Sequence, residues 1–166
     1  MAEKEDIIKE KLDHSGVFDF KAVYGFAHSW LKDSGFGVVE DKYSEKVSGN
    51  ARDISVEWSI EKKLSDYFKM EGKVEFDIKG LTDVEVEIDT ERKKMNKGKI
   101  SITMKSVLLM DYKGEWESGA FYRFLRDVYN KYVIPTRVKN MKNIVEKNII
   151  SLKEEIKSFL ELSGRR

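Results

Sequence analysis

The sequence predicts an α+β domain: a curved antiparallel sheet of five to six strands, with one face packed by helices at about 19–34 and across the C-terminal region. Three observations carry that expectation. First, Ile54, Val56, Trp58 and Ile60 alternate without a break with Ser55, Glu57, Ser59 and Glu61. Second, the same period returns at Phe68 and Met70, at Val74, Phe76 and Ile78, at Val84, Val86 and Ile88, and at Ile100, Ile102 and Met104. Successive strand side chains point to opposite faces, so the alternation gives one dry face and one wet, charged face. Third, from about 118 to 162 the apolar period becomes helical, which supplies cover for the dry face.

Each element follows in order. Residues 7–13 fit a first, edge-like strand, although their charge also allows a frayed helix, and Gly16 then breaks the chain. Asp19 is placed to cap a helix, because its carboxylate accepts from the free amides of a first turn. Phe20, Val23, Tyr24, Ala27, Trp30 and Leu31 follow at helical spacing, and Gly35 sits at the stop. The strand series begins at 36–43, with turns at 48–50, 62–66, 80–83 and 95–98. The last lies between two strong alternating runs and reads as a hairpin tip. Gly72 interrupts an inward row, where a bulge or bend would curve the sheet. Val107 and Leu109 place apolar residues on the second face, so that end is covered twice or meets a partner.

The C-terminal region carries two apolar stripes. Phe121, Phe124, Leu125, Val128, Tyr129 and Tyr132 form one; Val138, Met141, Val145, Ile149, Leu152, Ile156, Phe159 and Leu160 form the other. On one straight helix their centres differ by roughly 130°, too far to bury both against one sheet. Pro135 lies between them, removes an amide donor and pushes Ile134 out of helical geometry. Two helices, or one sharply kinked, are expected, with the break at 133–136.

Composition narrows the class. The 166 residues are 40% hydrophobic and 37% charged, which fits a single folded domain and excludes a disordered chain. No apolar run approaches the ~20 residues that span a bilayer. The N-terminus has no apolar signal region, and the chain has no cysteine, so a cytoplasmic location is expected. The 31 basic and 30 acidic residues exert no global pull toward nucleic acid or membrane.

Catalytic chemistry has little to stand on. His14 and His28 lie 14 residues apart, without the spacing of a helical metal pair. No nucleophile elbow, phosphate loop or cofactor motif is present, so neither a metal, a cofactor nor an enzymatic activity is expected. Glu85, Glu87 and Asp89 share one strand face, but calcium needs six or more converging oxygens. A solvated ladder with Lys69, Lys73, Lys79 and Lys105 is the expected arrangement.

The element order, strand, helix, antiparallel strands and long C-terminal helix, resembles the helix-grip superfamily of START lipid-transfer domains and plant pathogenesis-related ligand binders. The resemblance implies a sheet gripping the last helix, with a hydrophobic ligand between them. The leading expectation is therefore a non-enzymatic module holding an apolar small molecule or lipid. Trp58, Met70, Phe76, Met104, Met110, Phe121 and Phe124 would line the site, with Tyr112 and His28 as polar anchors. The alternative is an interaction module that contacts nucleic acid, a ribonucleoprotein or an acidic protein. Its candidate residues are Arg92, Lys93 and Lys94 at the hairpin tip, and Arg123, Arg126, Arg137, Lys139 and Lys142 on the helices. Self-association of a monomer into a homodimer, through Val107, Leu109 and the last helix, is a third possibility.

Overall fold

The architecture is that of a computed structural model, which describes residues 3–110, 119–128, 131 and 135–164. Five strands, β1 (Glu3–Phe18), β2 (Gly37–Ser48), β3 (Ala51–Lys63), β4 (Phe68–Ile88) and β5 (Glu91–Met110), form one open antiparallel sheet. Its order is β1-β5-β4-β3-β2. The last four strands are a meander of successive hairpins, and β1 adds to the far side of β5. Three helices are seen among the described residues: α1 (Phe20–Asp33), α2 (Ala120–Val128) and α3 (Pro135–Gly164). None of the described helices is long and apolar enough to cross a membrane.

Local chemistry explains α1 as expected. Asp19 is extended, and its side chain accepts from the Ala22 amide at 3.2 Å. Gly35 follows the helix with φ of +90°, in the left-handed region that suits a helix stop. Phe20, Val23, Ala27 and Leu31 are buried along one stripe. Pro135 is the first residue of α3, where its missing amide costs no hydrogen bond.

The strands differ from expectation in one consequential respect. The segments 68–70, 74–78 and 84–88 are one continuous strand, and residues 95–98 lie inside β5 rather than at a hairpin tip. The turn falls instead at Asp89 and Thr90, with φ of +51° and +70°. Asn96, read as a turn residue, accepts from the Phe20 amide at 3.0 Å and donates to Asp83 at 2.9 Å. The expected turn at 80–83 is a bulge, where the β4–β5 register shifts between Lys79 and Thr82. Gly80 supplies its positive φ of +63°, and Asp53 accepts from its amide at 2.9 Å. Gly72 causes no register shift. A Cβ there would lie 2.5 Å from the Lys105 carbonyl oxygen, so glycine lets the two backbones close in.

The dry face is the core. Trp58 is fully buried, with the Phe76 ring at 4.8 Å, Tyr24 at 5.1 Å and His28 at 5.6 Å, each edge-on or close to it. In the same core, α3 buries Val145, Ile149, Leu152, Ile156 and Leu160, with Val138, Met141 and Phe159 packed alongside. Each fully buried aliphatic side chain contributes about 1.5–3 kcal/mol relative to exposure. Phe26 stacks on Phe159 at 4.6 Å and joins α1 to α3. The second predicted stripe therefore covers the sheet.

The start of the first stripe does not. Phe121 is 67% exposed and Phe124 62% exposed on α2, so they line no interior. Periodicity marks an apolar side of α2, but it carries no information about what that side meets. Tyr129 and Tyr132 lie outside the described residues.

Candidate functional site

Three regions hold the residues that sequence reasoning singles out. The first is the interior. Trp58, Met70, Phe76 and Met104 belong to one core cluster with essentially no exposed surface, and Met110 is also buried. Asn148 of α3 donates to the Met70 sulfur at 3.9 Å, so the helix contacts this set directly. His28 is half-buried with its ring edge toward Trp58, and Tyr112 lies outside the described residues. Phe121 and Phe124 belong elsewhere, as described above.

The second region is the β4–β5 hairpin arm. Its pairing sets Glu85 opposite Lys94 and Glu87 opposite Arg92, and Arg92 reaches Glu85 at 3.8 Å. Residues 83–97 contain five acidic and four basic side chains, so Arg92 and Lys94 face acids of their own hairpin, while Lys93 stands opposite Val86. The expected ladder is thereby corrected: the acids of this arm face its own cations. Further along, Lys69 meets Glu61 at 2.9 Å and Glu71 at 3.8 Å, and Lys79 meets Asp77 at 3.6 Å.

The third region is helical. Arg123 on α2 and Arg137, Lys139 and Lys147 on α3 are exposed. Neither helix has an acidic residue in its first turn. Cations near a helix N-terminus oppose the helix dipole, typically by 0.3–1 kcal/mol, so helix stability does not explain Arg123, Arg137 and Lys139. They add to the positive end of each helix and strengthen a local field that attracts anions. Lys142 differs: it turns inward to Glu5, at 2.6 Å, and ties α3 to β1. The side chain of Arg126 lies outside the described residues.

Aromatic rings accompany these cations. Beside Phe121 and Phe124, Tyr122 is 51% exposed, with its ring 6.0 Å from that of Phe121. Tyr122 escapes the sequence reading because it falls outside the apolar stripe; only surface exposure reveals it. The arrangement presents flat apolar rings and positive charge within about one turn of one helix. Such a surface suits a partner with both negative charge and stackable or apolar groups. Among the described residues, no cluster of three or more His, Cys, Asp or Glu side chains is placed to hold a metal. No protein-family model, no curated protein and no solved structure matches this chain.

Proposed function

We propose that this protein is an interaction module that binds single-stranded nucleic acid through α2 and the N-terminal half of α3. The observation that carries the reading is the juxtaposition on α2 of exposed Phe121, Tyr122 and Phe124 with exposed Arg123. Aromatic rings stack on bases irrespective of sequence, and cations neutralise the intervening phosphates. Arg137, Lys139 and Lys147 add exposed cations around the solvent side of α3. The interior reading is less favoured, because Trp58, Met70, Phe76 and Met104 are committed to packing.

Fluorescence anisotropy with a labelled oligonucleotide of about 12 nucleotides, near the range one small domain covers, tests this. The triple variant Arg123→Glu, Arg137→Glu and Lys139→Glu should bind at least about tenfold more weakly. Its log–log salt slope should be shallower by about 2, since each phosphate that a cation no longer neutralises removes roughly 0.7. The thermal midpoint should stay within a few degrees of the parent, since these side chains are exposed. Unchanged affinity in the triple variant would remove the proposal.

A further inference from the structure

The wet face of the sheet carries a feature that neither the helices nor the hairpin arm explains. The register sets Lys9 of β1 directly opposite Lys105 of β5, and Lys105 directly opposite Lys73 of β4. Three lysines thus lie in one row across three adjacent strands, with neighbouring strands about 4.8 Å apart. Like charges directly opposite one another destabilise a sheet, so such a row is unexpected on a merely solvated face. Of the acids in the next row, Glu61 and Glu71 are engaged by Lys69, and Asp6 stands opposite Val107 at the β1 end. Among the described residues, none of Lys9, Lys73 and Lys105 forms an ion pair.

The same three lysines line a depression of about 720 Å³. That volume falls within the ~300–1,000 Å³ of sites that hold small organic molecules. Ile7, Val39 and Val107 supply apolar wall beside the lysines. Lys4 joins the three lysines in the lining, against the carboxylates of Asp6, Glu61 and Glu71, so the depression keeps a small cationic excess beside aliphatic surface and matches a ligand with an anionic head and an organic body. A phosphomonoester carries about −1.5 to −2 charge near neutral pH and three acceptor oxygens, one for each lysine.

We infer that this depression on the outer sheet face binds a phosphate-bearing small organic molecule, with Lys9, Lys105 and Lys73 holding the phosphate. The site is separate from the α2–α3 surface and stands or falls independently of it. Bound phosphate cancels the repulsion within the row, so ligand binding and sheet stability are coupled.

Thermal melts and calorimetric titrations of the full chain with inorganic phosphate and with hexyl phosphate test the inference, against sodium chloride at matched ionic strength. Both phosphates should raise the midpoint beyond chloride, and hexyl phosphate should bind at least about fivefold more tightly, through the aliphatic wall. Lys105→Gln should weaken both by at least about tenfold while raising the ligand-free midpoint, because repulsion is relieved. Lys99→Gln, on the same strand but outside the depression, should change neither. Equal shifts from phosphate and chloride, equal affinity for the two phosphates, or undiminished binding by Lys105→Gln would each overturn it.

Discussion

Tyr24 joins three parts of the molecule through one side chain. Its ring packs edge-on against Trp58 at 5.1 Å, and its hydroxyl donates to Glu40 of the edge strand β2 at 2.5 Å. Burial, and then the Glu40 carboxylate, raise its pKa above the usual tyrosine value of 10.0. Tyr43 is raised as well, by burial first and then by Glu45. The fold therefore holds these phenolic protons more tightly than the unfolded chain does. The associated stability is intact below pH 10 and is lost as pH rises through the folded-state values. Melts between about pH 9 and pH 11.5 should show a steeper decline for the parent than for Tyr24→Phe, with Tyr43 supplying the slope that remains. Identical slopes would mean that the Tyr24 proton is not linked to folding.

Among the elements, legibility follows the range of the interactions that define each one. The cap at Asp19, the stripe of α1 and the stop at Gly35 all act within a few residues, and all are readable in the sequence. The stripe from Val138 to Leu160 is equally clear, since its period is internal to the helix. The β4–β5 turn is not, because Asp89 and Thr90 adopt positive φ without glycine, while Asn96 and Gly98 imitate a turn. The displaced turn has a distant effect. A turn at 95–98 would set Lys105 opposite the neighbourhood of Ile88, whereas the real register brings it to Lys73 and creates the lysine row. For a β-branched residue, the left-handed conformation of Thr90 costs about 1–3 kcal/mol. Thr90→Gly should accordingly stabilise the protein by about 1 kcal/mol in urea unfolding, after the entropy of glycine is subtracted. A decrease instead would show that the hydrogen bond from the Thr90 hydroxyl to the Asp89 carbonyl, at 2.5 Å, outweighs the strain.

At the scale of the whole molecule, one hydrophobic cluster joins the sheet, α1 and α3. Nothing in that cluster divides the sheet from the helix that covers it. Leu152→Ala, at a fully buried position on α3, should cost about 2–5 kcal/mol. Helical circular dichroism and tryptophan fluorescence, to which the core residues Trp30 and Trp58 contribute, should then shift together to the same lower midpoint. Separate transitions would identify α3 as an independently melting unit. The pairing of β1 with β5 carries a consequence for the order of events on the ribosome. Residues 3–18 leave the tunnel before the other strands, yet their partners at 96–110 are made about 80–110 residues later. At ~5–20 residues per second, the opening strand waits roughly 4–20 s without its ladder. β2, β3 and β4 can pair with one another during that interval, so β1 joins the sheet only once β5 has been made.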